Sequence, residues 1–373
     1  MLDPSSGTTT EELLAGLAAQ LDAAGIAVAR SSISLPTLHP ELYVRNVTWT
    51  LGAGCVALDR DAAILLTPFY LDSPPARIHA GADEIRCRLE GDAPDLRFSV
   101  CRDLREAGYT DYVAIVVPFR DGRRTFVSWA TRRAGGLGDD EIARLRSLIP
   151  ALSLRLELAS ADHAMRSLLD VYLGHNAARR VLAGAFHRGS GETIRAAIWS
   201  CDLRGFTSMA DRLPAPEVVA TLDRYFETVC APIAEGGGEV LKFIGDAVLA
   251  IFPAAGDEPA ACRRALAAAK GAIDGIRRWN EAHEPPLGVG VALHLGDVTY
   301  GNIGAQRRLD FTVIGAAVNE VCRVEPLCKE LGRWLLVTDA FAARIACPDL
   351  VALGTHALRG VAEPRAIFGV EGY

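Results

Sequence analysis

The sequence has no apolar run long enough to cross a membrane. Its longest windows, such as Ala62 to Tyr70 and Ala265 to Ile273, fall short of about 18 residues or carry a charge, so no membrane span is expected. It also lacks a basic segment followed by an apolar one at its start. The chain opens Met1-Leu2-Asp3-Pro4 and soon reaches Glu11-Glu12, and a cytoplasmic location is the expectation. No two of the nine cysteines (55, 87, 101, 201, 230, 262, 322, 328 and 347) form a CxxC pair, and an odd count does not complete a disulfide framework. Free thiols, mostly buried, in a reducing compartment are expected. Basic charge is not in excess: 39 Lys and Arg stand against 46 Asp and Glu, a net charge of −7, which argues against coating nucleic acid. Gly and Pro are ordinary at 35 and 19, which excludes collagen-like and low-complexity chains. There is no internal repeat and no GxxxxGK[ST] loop.

What is present suits folded domains. Half of the 373 residues are hydrophobic and 23% are charged, enough apolar material for two domains or three small ones. Residues 1–137 read as mixed α and β. Glu11 to Ala24 carries Leu13, Leu14, Leu17 and Leu21 at helical spacing, and Gly25 ends it. Strands are expected at Ile26 to Ser32, Arg45 to Leu51, Gly54 to Leu58, Glu84 to Leu89, Tyr112 to Phe119 and Thr125 to Thr131. Residues 138–186 read as a helical linker. Ile142, Leu145, Leu148, Ile149, Leu152 and Leu156 form a stripe that Met165, Leu168, Leu169 and Tyr172 continue, able to pair with its copy as a coiled coil or to pack on its own domain.

Residues 187–373 alternate strands and helices. Strands are expected at Arg195 to Leu203, Glu239 to Ile244, Ala247 to Phe252, Gly288 to Leu295, Phe311 to Ile314 and Trp334 to Val337, and helices at Pro214 to Ile233, Cys262 to Trp279 and Ala316 to Leu331. Gly245-Asp246 joins the second and third strands as a hairpin turn.

Two carboxylates stand at strand ends. Asp202 closes the apolar run Ile198-Trp199-Ser200-Cys201, and Asp246 sits in the hairpin turn. Alone, the first reads as a helix cap and the second as a turn former. Brought together, they would supply the hard oxygen ligands that Mg²⁺ requires. After Asp202, Leu203-Arg204-Gly205-Phe206-Thr207-Ser208 runs from a strand into a glycine turn whose N–H groups can cradle phosphate. Asn319 and Arg323, four apart, share a helix face and can bind a sugar oxygen and a phosphate, or form a solvated face. Lys242, between Leu241 and Phe243, must reach a surface, an interface or a pocket.

Together these residues resemble the catalytic domain of class III nucleotidyl cyclases. Ile198 to Thr207 is similar to the first metal-binding motif and Leu241-Lys242-Phe243-Ile244-Gly245-Asp246-Ala247 to the second. Asp310-Phe311-Thr312-Val313-Ile314-Gly315, with Val318-Asn319 and Arg323, is similar to the third. The resemblance covers roughly residues 192–373. It implies an α/β (α+β) fold with a ferredoxin-like βαββαβ core, and a homodimer with active sites at the subunit interface. Asp202 and Asp246 would hold two Mg²⁺ or Mn²⁺ per site. Asn319 would orient the ribose and Arg323 would stabilise charge on the α-phosphate, both from the other chain. Phe206 and Thr207 lie in the substrate-binding part of the first motif, and Arg359 matches a residue contacting the terminal phosphates. Lys242 and Thr312 match the two base-selecting positions. An ammonium that donates and a hydroxyl that accepts complement adenine N1 and N6, so ATP is the expected substrate. Guanylyl or mixed specificity is the first alternative, and a catalytically silent nucleotide-binding module the second. Asp297 stands where some members carry an arginine.

Residues 1–137 resemble a GAF-type sensor domain in their alternation of strands and helices ahead of a long helix, with PAS the competing assignment. A small-molecule ligand or protein partner is expected there. His39 reads as a turn or surface residue rather than a haem or metal ligand, and Trp49 as a core residue.

Overall fold

The computed structural model describes residues 9–37, 39, 42–185, 187, 189–284 and 286–373. The chain divides into two compact units, Met1–Val171 and Tyr172–Tyr373.

The first unit is one antiparallel sheet with helices. Its strands are β1 (Arg30–Pro36), β2 (Val44–Thr50), β3 (Gly54–Arg60), β4 (Glu84–Arg88), β5 (Asp111–Pro118) and β6 (Arg124–Thr131), in the order β3-β2-β1-β6-β5-β4. Its helices are α1 (Thr10–Ala23), α2 (Pro68–Leu71), α3 (Pro74–His79), α4 (Ser99–Glu106), α5 (Asp139–Ser147) and most of α6 (Ile149–Leu173). Thr9 caps α1: its hydroxyl accepts from the Glu12 N–H and the Glu12 side chain reaches back to the Thr9 N–H. Leu14 and Leu17 of α1 and Leu152 and Leu156 of α6 are buried against Ile33, Val47, Val127 and Trp129. The first part of the long apolar stripe is therefore core of this unit, whereas Leu154, Leu158, Met165 and Leu168 are exposed. Trp49 is half-buried and packs against the same core. His39 accepts from the Leu42 N–H through Nδ1, as a turn residue does.

The second unit begins with α7 (His175–Leu182), followed by β7 (Gly191–Arg204), α8 (Phe206–Ala210), α9 (Ala215–Glu235), β8 (Glu239–Ile244), β9 (Ala247–Pro253), α10 (Glu258–Asn280), β10 (Gly288–Ala305), β11 (Arg308–Ile314), α11 (Ala316–Val324), α12 (Leu327–Glu330), β12 (Leu335–Thr338), α13 (Asp339–Ala342), β13 (Leu350–His356) and β14 (Arg365–Val370). The sheet runs β13-β14-β12-β10-β7-β9-β8, with β11 paired to β10. Within it, β7-α9-β8-β9-α10-β10 is a βαββαβ unit whose strands lie in the spatial order fourth, first, third, second, the ferredoxin-like arrangement. Helices α9 and α10 cover one face through Tyr225, Val229, Ala265, Ala269 and Ile273, which pack on Trp199, Ala250 and Phe252. Helix α11 and α7 cover the other, through Ala177, Val318 and Val321 on Ile198, Ile251 and Ala292.

Several expected boundaries move. The helix read as one piece from Ala316 to Leu331 is two, because Pro326 cannot continue α11. The first strand starts at Arg30, not Ile26: the chain leaving α1 is still bonded to it, with the Ile26 N–H donating to the Leu21 carbonyl. Strand β10 continues to Ala305, and the strands β13 and β14 were not anticipated.

Candidate active site

The register of three strands assembles the carboxylates. Cys201 pairs with Val248 of β9, and Asp202 with Gly290 of β10. The end of β7 therefore meets the β8–β9 turn. There Ile244 pairs with Ala247, leaving a two-residue turn of Gly245 and Asp246. Gly245 has φ +66°, as the first central residue of a II′ turn requires. Asp202 and Asp246 are both half-buried and close enough to share a hydrogen bond when one is protonated. Burial first, and the Asp246 charge second, push the Asp202 carboxyl up to about 6.

A third carboxylate faces this pair. Burial, then the charge of Asp202, push Glu325 up to about 7, while Arg204 opposes the shift. Its Oε1 lies over Gly290, where a Cβ would come within 2.6 Å of it, so a side chain beside Asp202 would push the Glu325 carboxylate aside. Sequence reasoning missed Glu325. Its place is set by the β7–β10 pairing, and only its position two residues after Arg323 on the same helical segment hinted at it.

Like charges gathered in a partly dry place demand a cation. The oxygen donor set suits Mg²⁺ or Mn²⁺. Among the described residues no cluster of three or more side chains has metal-holding geometry. The aspartate pair would leave the remaining positions to water and phosphate oxygens, as Mg²⁺ prefers.

Lys242 on β8 is ion-paired with Asp310 on β11. Two residues along β11, on the same strand face, Thr312 is buried and its Oγ1 has no hydrogen-bond partner among the described residues. The two expected base-selecting positions thus lie on adjoining strands. Asn319 and Arg323 are exposed on α11, and neither side chain has a hydrogen bond or ion pair among the described residues. Neither is an electrostatic partner of Asp202. Phe206 is half-buried against the core of the second unit, Thr207 is exposed at the start of α8, and Arg359 is exposed in the turn after β13. Asp297 is exposed and pairs with Arg195 at 3.5 Å. Around the site the apolar side chains of Phe243, Ile244, Leu309 and Ile314 are exposed.

Behind these residues lie two buried polar clusters. Glu320, next to Asn319, accepts from Arg365 Nε at 2.8 Å and lies 3.7 Å from His294 Nδ1, which also contacts Thr338 Oγ1 at 2.8 Å. Glu239, at the start of β8, accepts from the Tyr300 hydroxyl at 2.8 Å and from Asn176 of α7 at 3.3 Å. Arg180 of α7 stacks over Tyr300, and Tyr300 meets Phe311 edge-on at 4.9 Å.

Comparison with known proteins agrees with this geometry. Residues 192–334 match the family described as Adenylate and Guanylate cyclase catalytic domain, and this part of the chain belongs to that class III cyclase family. An adenylate cyclase of Anabaena cylindrica is 34% identical over 173 residues, 44% of this chain and 34% of that protein. An uncharacterised protein of Mycobacterium tuberculosis is 38% identical over 169 residues, 44% of this chain and 31% of that protein. The chain thus spans about a third of the length of the curated relatives it matches. A bacterial light-regulated adenylyl cyclase, 22% identical, shares the fold with a TM-score of 0.50 over 69% of this chain and 86% of its own.

Proposed function

We propose that the chain is an adenylate cyclase that converts ATP to 3′,5′-cyclic AMP and pyrophosphate, with its active site completed between two copies. The observation that carries this reading is the meeting of Asp202 and Asp246 at one end of the sheet, a carboxylate pair whose burial and mutual repulsion a cation would relieve. Divalent metal held there would acidify the ribose 3′-hydroxyl and neutralise charge on the triphosphate.

The chain's own groups supply position and charge. The ribose 3′-oxygen forms a bond to the α-phosphorus as the bond to pyrophosphate breaks. Asn319 orients the ribose, and Arg323 stabilises negative charge on the α-phosphate in the transition state. Both are exposed and without hydrogen-bond or ion-pair partners among the described residues of their own chain, in keeping with service to a second chain. The exposed Phe243, Ile244, Leu309 and Ile314 suit a face that another copy covers. Arg359 reaches the terminal phosphates, while Phe206 and Thr207 shape the turn that receives them. For the base, the Lys242 ammonium donates to adenine N1 and the unpartnered Thr312 hydroxyl accepts from N6. The first unit and the linker regulate this reaction.

A second reading, mixed ATP and GTP use, is favoured by Asp310. Its carboxylate beside Lys242 offers an acceptor to guanine N1–H.

The test is cyclic nucleotide formation by the full chain with ATP or GTP and Mg²⁺ or Mn²⁺, beside Asp202→Ala. ATP turnover lost in that variant is expected. No turnover of either nucleotide by a folded dimeric protein, with either metal, overturns the proposal.

A further inference from the structure

The first unit contains a cleft whose chemistry is unlike a packing interface. On β4–β6 both faces of its sheet are core, the second through Cys87, Ala114 and Phe126, but on β1 and β2 only one is: Ile33, Leu35 and Val47, which Val127 and Trp129 of β6 join. The alternate residues point the other way, as strand geometry dictates. They are Ser32, Ser34, Asn46, Thr48 and Ser128, and all five line a cavity of about 220 Å³. Ser32, Ser34 and Ser128 are buried. A sheet face covered by other elements is ordinarily apolar. Here the β1–β2 part is built of hydroxyls and an amide, with Tyr112 and Phe126 beside it.

These groups bond to one another and to Tyr112, and the hydroxyls keep acceptor capacity for a further partner. The Ser32 and Thr48 hydroxyls bond at 2.9 Å, and Ser34 donates to Asn46 Oδ1 at 2.6 Å. The cover over this floor is largely apolar: Phe69 and Tyr70 of α2 and Pro74 and Pro75 of α3, with Tyr43 and Leu58 also lining it and His79 bonded to the Tyr70 hydroxyl at 2.7 Å. Phe69, Tyr43 and Leu58 are exposed, so apolar surface surrounds the opening.

Charge in the cleft has one sign. Arg30 and Arg60 line it, no Asp or Glu does among the described residues, and neither guanidinium forms an ion pair. Arg30 pairs across to Thr50 of β2 and Arg60 to Val44, so the two mark opposite ends of the face, about 20 Å apart along β2. They do not clamp a single group. Arg30, half-buried on the central strand β1, is the inner one, while Arg60 is exposed on the edge strand β3.

We infer that this cleft binds a small aromatic carboxylate, its anion on Arg30, its polar substituents on the serine–threonine–asparagine floor and its ring against Phe69 and Tyr70. A guanidinium without a partner is matched by a planar carboxylate. Flat aromatic cover matches a ring. The volume lies below the ~300–1,000 Å³ of drug-sized sites, which limits the ligand to one or two rings. Nothing in this inference depends on the reaction of the second unit.

Calorimetric titration of the full chain tests it. The probes are benzoate, 4-hydroxybenzoate and indole-3-acetate, each beside its neutral amide, and inorganic phosphate. The expected result is saturable binding of at least one carboxylate, one per chain, with its amide weaker by roughly tenfold or more. Arg30→Gln should weaken that binding by a similar factor, while Arg77→Gln, which lies outside the cleft, should leave it unchanged. Arg30 holds no ion pair, so its variant should unfold at the wild-type midpoint. The carboxylate–amide comparison needs no variant. Three outcomes overturn the inference: no saturable carboxylate binding up to millimolar concentration, equal binding of acid and amide, or saturation by phosphate and by none of the carboxylates.

Discussion

Arg365 grips Glu320 with two nitrogens, Nε at 2.8 Å and Nη2 at 3.3 Å, one residue away from Asn319 on α11. Glu320 is buried at 7% side-chain exposure while Arg365 keeps a third of its surface wet. The pair therefore fixes the rotation of the helix that presents Asn319 and Arg323. Arg365→Met should leave Glu320 a buried charge without its main partner and cost about 2 kcal/mol, below the 3–5 of a fully buried pair because the outer edge of Arg365 is solvated. Turnover should fall with little change in KM, and Arg365→Lys should recover part of both. Chemical denaturation and steady-state kinetics would show whether α11 is held this way.

His294 gives the stability a pH dependence of known sign. Burial chiefly holds its pKa below the usual 6.5; Glu320 and Asp339 favour the cation, and Arg365 and Arg195 oppose it. Because the folded pKa lies below the unfolded one, the unfolded chain takes up the proton first. Stability should drop as pH falls below about 6.5, by at most about 1.4 kcal/mol per pH unit from this residue. His294→Gln should remove that part of the slope. Identical slopes in urea titrations of the two proteins between neutral and acid pH would contradict the assignment.

Asp246 destabilises the protein that carries it. Asp246→Asn removes one of two adjacent negative charges, and without divalent metal the variant should be more stable than the parent by about 1 kcal/mol. It should also lose the rise in melting temperature that Mg²⁺ or Mn²⁺ gives the parent, and cyclic nucleotide formation with it. A variant less stable than its parent in chelator would mean that the carboxylates do not repel as described.

If the proposed base contacts hold, the Lys242–Asp310 pair sets how strictly the base is chosen. Lys242→Glu places two carboxylates together and removes the donor to adenine N1. ATP turnover should fall by roughly 10²-fold and the GTP-to-ATP ratio should rise. Competition between the two nucleotides, in both proteins, measures this directly. A ratio that stays put would move base selection elsewhere.

If the active site is shared between copies, damage to its two halves is separable. Arg323→Ala alone should lower turnover by roughly 10²–10³-fold. Mixing it with Asp202→Ala in equal amounts should restore about a quarter of wild-type activity, since half of randomly paired dimers then hold one undamaged site of two. Failure of a mixture shown to exchange subunits would place Arg323 and Asp202 in the same site of one chain.

Local chemistry was legible in the sequence and long-range placement was not. The Gly245–Asp246 turn could be read because a two-residue hairpin demands a particular backbone at its first position. The split of α11 from α12 was hidden by apolar residues that keep helical spacing through Val321, Val324, Cys328 and Leu331 across Pro326. Glu325 looked like any helix-end acid, since what brings it to Asp202 is the pairing of Asp202 with Gly290, far along the chain. In the first unit the strands were visible but the meaning of their polar alternation was not. Ser32, Ser34, Asn46, Thr48 and Ser128 line a cleft only because distant segments, α2 and α3, cover that face.

Helix α7 has its own leverage. Asn176 holds Glu239, three residues before Lys242 on β8, and Arg180 rests on Tyr300, whose ring touches Phe311, the neighbour of Thr312. A displacement of this one short helix is therefore delivered to both strands that carry the proposed base-selecting residues, by two separate linkages. Such an arrangement is a crank rather than a gate: it turns the recognition surface itself, so a signal arriving through α7 would alter which nucleotide is held as well as how fast it is used.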